Sequence, residues 1–197
     1  MEIADKTLNK VRGAEAIVIH NGNVVLGMQK PQRWYELENG KRAAIIKTLG
    51  GQKEEDDGES SKKTILREIS EELKGIDFTK MKITKHPIFS KEVRMGEMNP
   101  FERDSDLSMH ADFYLLNITD DRKIQPDDLP ALVEIPLDDF LELDFDRVDR
   151  LDHLQKYVIE NKENTQTLPQ YYAFMLPKEV KDFLKSLFKR KEEEERE

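Results

Sequence analysis

Residues 60–74 constrain the fold of this chain more than any other segment, because their pattern is that of an amphipathic helix. Apolar side chains recur there at spacings of three and four residues, at Ile65, Leu66, Ile69 and Leu73. Gly75 follows, and glycine is the residue that most often ends a helix. The segment therefore predicts a helix over about 60–74 whose apolar stripe packs on a sheet.

Three glutamates, Glu68, Glu71 and Glu72, lie beside the apolar stripe within an arc of roughly 100°. Like charges at this spacing repel by roughly 0.2–0.5 kcal/mol per pair, so either the surroundings dilute the repulsion or a cation belongs there. Clustered carboxylates on a rigid element suit Mg²⁺ or Mn²⁺. A chain with 41 Asp and Glu among 197 residues also forms such clusters by chance. From the glutamates alone, a solvated acidic face is the commoner outcome.

The other segments predict a sheet before and after this helix. An Asn-Gly turn between two apolar runs indicates a β-hairpin. Two further helices are predicted from spacing, at 145–161, with Val148, Leu151, Leu154 and Val158, and at 176–190, where Pro177 opens the helix. The predicted strands lie at 14–20, 24–29, 45–51, 81–94 (interrupted at Pro87), 110–118 and 129–137. This order of elements indicates an α+β protein with a mixed or antiparallel sheet covered by helices.

Length and composition favour one soluble globular domain with elaborations, residues 1–190, followed by a charged flexible tail at 191–197. The first ten residues lack the apolar core of a signal peptide, and no apolar run approaches the roughly 18 residues of a membrane span. We therefore expect no membrane segment and a cytoplasmic protein. The apolar stripe of the last predicted helix leaves two roles open, a homodimer surface or, more commonly, packing on the chain's own sheet.

Charge and composition exclude several classes of site. The net charge of −9 argues against long nucleic acid as a partner. A nucleotide remains open as a substrate, because bound cations can reverse the sign of a local site. The chain has no Cys, which excludes disulfides, thiolate zinc sites and thiol nucleophiles. Its four His are scattered, without the spacing of metal ligands.

Residues 51–76 resemble the signature of the Nudix hydrolases, GX5EX7REUXEEXGU, where U is a bulky aliphatic residue. Two positions depart from it: the loop after Gly51 is two residues longer, and Lys74 stands where the signature has glycine. The preceding hairpin and the late segment "VEIPLDDFLEL" also agree with the family. The positions in register with the signature are Glu59, Arg67, Glu68, Ile69, Glu71 and Glu72.

The resemblance implies an α/β/α sandwich with a mixed sheet and extra C-terminal helices. It also implies an enzyme in which water cleaves a nucleoside diphosphate linked to another moiety. By the same resemblance, Glu68, Glu71 and Glu72 bind Mg²⁺ or Mn²⁺, and Glu68 also orients or deprotonates the water. Arg67 is implied as an orienting partner, and it can reach Glu71 four positions later.

Further residues follow from the resemblance. Glu59 is implied as an auxiliary metal ligand or a brace, and the backbone at Gly51 as a contact to the metal. Family members often take another acid from the loop before the late strand, where Asp127 and Asp128 stand. These two are candidates for substrate binding.

Trp34 and Tyr35, in the polar loop 30–44, are candidates to stack on a nucleotide base. An aromatic residue that covers the edge of the core is an equally open interpretation. The expected substrate is a small-molecule nucleotide. Dinucleoside polyphosphates, ADP-ribose and other nucleotide sugars, nucleoside triphosphates and capped RNA ends are all family substrates. The alternative to an enzyme is a Nudix-fold module that binds a nucleotide without cleaving it; the intact glutamates favour the enzyme, and the longer glycine loop keeps the alternative open.

Overall fold

The part of the chain that this computed structural model describes, residues 10–194, forms fourteen strands and four α-helices. The strands are β1 (Lys10–His20), β2 (Asn23–Met28), β3 (Tyr35–Glu36), β4 (Arg42–Lys47), β5 (Leu49–Gln52), β6 (Leu73–Lys74), β7 (Met81–Ile83), β8 (Phe89–Arg94), β9 (Ser108–Ile118), β10 (Gln125–Pro126), β11 (Ala131–Pro136), β12 (Val148–Arg150), β13 (Val158–Glu160) and β14 (Tyr171–Met175). The helices are α1 (Ser61–Glu72), α2 (Met95–Met98), α3 (Leu137–Glu142) and α4 (Lys178–Glu194).

Twelve of the strands form one mixed sheet, with β4, β2, β1 and β9 adjacent at its centre. The long strands β1 and β9 run parallel, from Lys10 beside Ser108 to His20 beside Ile118. Strand β14 is parallel to β4, and the hairpin partner β2 is antiparallel to β1. Strands β6 and β10 form a separate short pair. The prediction of an α+β protein with a mixed sheet is confirmed.

Apolar side chains fill both faces of this sheet, because alternate residues of a strand point to opposite sides. On one face, Ile65 and Ile69 of α1 pack in a cluster with Ala14, Ala16 and Val18 of β1. On the other, Phe140 of α3 and Val180 and Leu184 of α4 pack in a cluster with Ile17, Ile19, Val24 and Leu26. Helices therefore cover both faces, and the predicted three-layer α/β/α arrangement is confirmed.

The predicted hairpin is present, and its turn has the backbone that an Asn-Gly pair favours. Asn21 has φ 48° and Gly22 has φ 87°, the positive values that a tight two-residue hairpin requires. Helix α1 ends at Glu72, two residues before the predicted end. Leu73 and Lys74 leave the helix because they pair with β10 instead. Gly75 also has positive φ, 81°, but it follows this strand rather than the helix.

The prediction of a helix over 145–161 is wrong. This segment forms β12, a 3-10 helix over Leu151–Tyr157 and β13. Val148, Leu151 and Leu154 are spaced by three, which is the repeat of a 3-10 helix, and of these only Leu151 and Leu154 are buried. The two ends of the segment form strands instead, because β12 pairs with β14 and β13 pairs with β11. Pairing with distant strands therefore overrides the local helical pattern.

The predicted C-terminal helix is confirmed as α4, which continues past residue 190 to Glu194. Val180 and Leu184 are buried against the chain's own sheet, the commoner of the two roles considered for this stripe. The predicted tail thus begins inside the helix, and its last residues, 195–197, lie outside the described residues, as do residues 1–9. Between residues 10 and 194, no helix combines the length and the apolar character needed to span a membrane.

Asp120, just after β9, is a buried carboxylate that ties two loops together. It accepts a hydrogen bond from Nε of Arg122 at 2.8 Å and another from the backbone N–H of Asp77 at 3.1 Å. The hydrogen bond from Arg122 is the main reason that the pKa of Asp120 lies well below its usual range. Asp120→Asn is therefore expected to lower the melting temperature at pH 7, since an amide cannot replace the charge that these donors face.

The difference in melting temperature between the parent and Asp120→Asn should depend on pH. A carboxylate whose pKa is lower in the folded state stabilises that state above the unfolded pKa of about 3.9, and the contribution is lost as pH falls towards the folded pKa. The difference should therefore narrow below about pH 4. Thermal melts between pH 7 and 3 measure it, with the exposed neighbour Asp121→Asn as control. A difference that stays constant over this range would contradict the assignment.

Candidate active site

Strand β5 places two glycines beneath α1, and each is required for a different reason. Gly50 has φ 137°, a conformation that L side chains rarely adopt, and a Cβ there would lie 2.3 Å from the carbonyl oxygen of Ala14. At Gly51 a Cβ would lie 2.5 Å from Oε1 of Glu68. Gly50 thus permits the unusual backbone conformation of β5, and Gly51 permits the carboxylate of Glu68 to lie directly on the backbone. We call these two residues, Gly50 and Gly51, the glycine turn.

Glu68 and Glu72, one helical turn apart on α1, both direct their carboxylates to this glycine turn. Glu72 is only 7% exposed and accepts a hydrogen bond from the backbone N–H of Gly50 at 3.0 Å. Burial raises the pKa of Glu72 to about 8, although Lys47 opposes the shift. The side chain of Glu68 is 15% exposed. Burial raises its pKa too, against the lowering effect of Arg67. The helix thus presents two crowded, partly desolvated carboxylates to one turn of backbone.

Two residues that the sequence analysis did not single out, Glu15 and Lys47, complete this cluster from the sheet. Glu15 is buried and accepts a hydrogen bond from Oγ1 of Thr48 at 2.7 Å. Nζ of Lys47 lies 3.6 Å from Glu15 and donates to the carbonyl of Gly50 at 2.8 Å. Burial raises the pKa of Glu15. Burial by itself lowers the pKa of Lys47. The negative charges of Glu15, Glu72 and Glu68 outweigh this effect, so the pKa of Lys47 is raised.

Arg67 connects the acidic helix to the loop that precedes it. Its Nη1 lies 2.9 Å from Oε1 of Glu68 and 3.3 Å from Oε2 of Glu71. Its Nη2 donates to the carbonyl of Gln52 at 2.9 Å and to Asp57 at 3.2 Å. The hydrogen bond with Asp57 raises the pKa of Arg67 and lowers that of Asp57 to about 2. The lengthened loop is therefore pinned to the helix by the same guanidinium that holds Glu68.

The loop before β11, which carries the candidates Asp127 and Asp128, reaches the C-terminal end of α1. The backbone N–H groups of Asp127 and Asp128 donate to the carbonyls of Glu72 and Glu71, at 2.9 and 3.3 Å. Lys30, another residue that was not singled out, has its Nζ 2.5 Å from Oδ2 of Asp128. The hydrogen bond to Asp128 raises the pKa of Lys30, and the charges of the nearby glutamates add to the effect. Lys30 thus brings positive charge to the end of the acidic helix.

Glu59 is not brought together with the other glutamates. It is exposed, and it lines a separate cavity at the N-terminus of α1, together with Arg12 and Lys53. Among the residues whose side chains the structure describes, it forms no ion pair with an Arg, Lys or His, in contrast to Glu68 and Glu71, which both pair with Arg67. Its implied role as a metal ligand or brace stays a prediction.

Trp34 and Tyr35 are already engaged in contacts of their own. The guanidinium of Arg42 lies over the Trp34 ring at 4.9 Å, and the indole N–H donates to the carbonyl of Gln29 at 2.8 Å. Trp34 also packs at the edge of the core, which is the alternative considered for it. Tyr35 stacks on Phe101 with ring centroids 4.6 Å apart. Base stacking by either residue stays a prediction.

The donor chemistry of the glycine turn suits a hard divalent cation. Over the described stretch 10–194, no three carboxylates or imidazoles stand together as a ready cage for a metal. Glu68, Glu72 and the carbonyl of Gly50 nevertheless supply oxygen ligands at one turn, and that carbonyl already accepts from the ammonium group of Lys47. Carboxylate and carbonyl oxygens are the donors that Mg²⁺ and Mn²⁺ prefer, so the residues present fit such an ion in ligand type.

Comparison with known proteins gives similarity in structure alone. No family model and no curated protein sequence matches the chain. It is similar to the Ap4A hydrolase of C. elegans, with TM-score 0.46, 14% identity and coverage of 68% of this chain and 85% of that one. A NUDIX family hydrolase from Clostridium perfringens gives TM-score 0.46, 15% identity and coverage of 70% and 88%. The NUDIX domain of Shewanella oneidensis NrtR, solved with ADP ribose, gives TM-score 0.44 and 17% identity, with coverage of 68% of this chain and 78% of that one.

The chain resembles Nudix proteins in structure as well as in its motif.

Proposed function

We propose that this chain is a Nudix-type pyrophosphohydrolase, in which water cleaves a nucleoside diphosphate linked to another moiety. The observation that carries the proposal is the position of Glu68. Its carboxylate lies on the backbone of Gly51, with Nη1 of Arg67 at 2.9 Å and the carboxylate of Glu72 at the same turn. A partly desolvated carboxylate that is fixed by an arginine is suited to orient a water molecule and accept its proton.

Each residue of the cluster has a defined part in this proposal. Glu68 binds and deprotonates the water, and Arg67 holds the Glu68 carboxylate in one orientation. Glu68, Glu71 and Glu72, with the Gly50–Gly51 backbone, would hold Mg²⁺ or Mn²⁺. When bound, such an ion neutralises phosphate charge and lowers the pKa of a coordinated water. Asp127 and Asp128, in the loop before β11, would contact the substrate.

A second candidate is a module that binds a nucleotide without cleaving it. The observation that favours it is the position of Lys47. Its ammonium group donates a hydrogen bond to the carbonyl of Gly50 and supplies positive charge to the site without a metal. For either function we propose a small-molecule nucleotide as the ligand, since a net charge of −9 opposes binding of long nucleic acid. A cytoplasmic location and a homodimer stay predictions.

Metal binding is tested by thermal melting. Millimolar Mg²⁺ or Mn²⁺ is expected to raise the melting temperature of the parent, since only the folded state presents the site. Glu71→Gln combined with Glu72→Gln should abolish the rise. The matched control is Glu36→Gln with Glu38→Gln, which removes the same charge from exposed positions elsewhere. If neither metal changes the melting temperature of the parent, the result would count against a metal site at these glutamates.

Cleavage is tested on a panel of nucleotides with either metal. The panel contains ADP-ribose, a dinucleoside polyphosphate, the nucleoside triphosphates and a capped RNA end, and chromatography detects the products. A hydrolase yields two phosphorylated products from at least one compound. If one compound binds in a calorimetric titration and the whole panel stays intact over hours, the binding module replaces the hydrolase.

A further inference from the structure

A cavity of about 600 Å³ opens beyond the N-terminus of α1. The sheet that forms its floor changes character along β9. Tyr114, Leu116 and Ile118 belong to the apolar cluster that α1 covers. On the same face but nearer the start of the strand, Ser108, His110 and Asp112 line the cavity instead. The fold thus leaves a polar floor uncovered where the helix begins.

Strand register adds charged groups to this floor. Arg12 of β1 lies directly beside His110, and Glu92 of β8 lies beside His110 on the other side. Lys53 and Glu59, from the loop between β5 and α1, form part of the wall. Among the residues whose side chains the structure describes, neither Arg12 nor Lys53 forms an ion pair. Two cations and three carboxylates therefore line one cavity.

Ser108 is the observation that points to a ligand. The residue is 3% exposed, and its hydroxyl oxygen is buried without a hydrogen-bond partner in the described part of the chain. A buried hydroxyl that is removed from water without a partner destabilises the fold, so native proteins rarely retain one. A ligand in the cavity that Ser108 lines would provide the missing partner.

The N-terminus of α1 adds a preference for negative charge. Ser60 precedes the helix but makes no side-chain cap, and the first turn contains no acid. Lys62 and Lys63 stand there instead, where the helix dipole disfavours cations. The free N–H groups and the dipole of a helix of this length favour an anion, above all phosphate.

We propose that this cavity binds a small phosphorylated sugar. The phosphate lies at the N-terminus of α1 with Arg12 and Lys53, while the sugar hydroxyls donate to Glu59 and Glu92 and satisfy Ser108. The lining combines two cations with carboxylates, which suits a ligand that carries both a phosphate group and several sugar hydroxyls as hydrogen-bond donors. The site is independent of the hydrolysis proposed for Glu68.

Calorimetric titration in EDTA and low salt tests this site with the metal site unloaded. The probes are ribose 5-phosphate, AMP, inorganic phosphate and ribose. Ribose 5-phosphate is expected to bind more tightly than phosphate or ribose. Arg12→Gln and Lys53→Gln should each weaken it roughly tenfold, as expected for the loss of a charged hydrogen bond. Ser108→Ala should weaken it less. Arg33→Gln, at an exposed cation elsewhere, and Glu68→Gln should leave it unchanged.

The probes also distinguish two kinds of ligand that both contain a phosphorylated sugar, a nucleotide and a free sugar phosphate. Tighter binding of AMP than of ribose 5-phosphate assigns the cavity to nucleotides, and equal or weaker binding assigns it to free sugar phosphates. If Arg12→Gln does not fold, Lys53→Gln and Arg12→Lys carry the test, since Lys at position 12 retains the charge. The proposal is overturned if no probe binds at millimolar concentration. It is also overturned if binding survives Lys53→Gln unchanged but is lost in Glu68→Gln, which would place the ligand at the glycine turn.

Discussion

Glu68→Gln is expected to lower the hydrolysis rate of the best substrate by at least about two orders of magnitude while the melting temperature changes little. Glutamine has nearly the shape of glutamate, so the fit against Gly51 is retained. A positioned general base contributes roughly 10²–10⁴-fold, and the amide can neither accept the proton nor act as an anionic ligand. Steady-state kinetics with Mg²⁺ or Mn²⁺, paired with thermal melts, measure both quantities.

The control for this change is Glu142→Gln, which removes one carboxylate from an exposed position at the end of α3. It should leave both rate and stability close to those of the parent. A Glu68→Gln protein that keeps most of its activity would remove Glu68 from the chemistry. A similar loss in Glu142→Gln would show that the rate responds to net charge rather than to this site.

Gly50→Ala is expected to destabilise the protein by at least about 2 kcal/mol, because the new side chain meets backbone on the central strand. Its Cβ would lie 2.3 Å from the carbonyl oxygen of Ala14 and 2.8 Å from Cα of Glu15. Neither atom belongs to a side chain that can rotate away. For a chain of this size, about 2 kcal/mol corresponds to a fall of roughly 4–8 °C in melting temperature.

Gly51→Ala is the matched control, since it adds the same methyl group one residue later. There the overlap is with the carboxylate of Glu68, the free end of a flexible side chain. Gly51→Ala should therefore melt closer to the parent than Gly50→Ala does, yet lose activity because Glu68 is displaced. Metal-free thermal melts compare the two. If Gly50→Ala melted with the parent, the strained turn described for β5 would be wrong.

The sequence was sufficient to predict the features that depend on local pattern. The hairpin at Asn21, the helix α1 and the grouping of Glu68 with Glu72 and Arg67 follow from spacing within short segments. The error at 145–161 has a different origin, since its ends pair with β11 and β14, and no local pattern encodes the approach of a distant strand.

Glu15 and Lys47 show what the sequence signalled without resolving. Each is a lone charge in an apolar strand, in "AEAIVIH" and "IIKTLGG", which indicates a buried group that needs a partner. The identity of that partner depends on the ladder that places Gly50 beside Glu15, and therefore on three-dimensional register. Ser108 gave no such signal, because a serine at the start of a strand is ordinary until its surroundings are known.

The parallel pairing of β1 with β9 also determines the order in which this chain can fold. Strand β1 lies at the centre of the sheet, yet one of its two long edges is completed only by residues 108–118, after about half of the chain has intervened. Closing so long a loop costs entropy before any contact compensates for it, so folding with such high contact order is slow. During synthesis on the ribosome, the apolar residues of β1 must therefore wait with one edge unpaired, a state in which chaperone binding or aggregation competes with completion of the sheet.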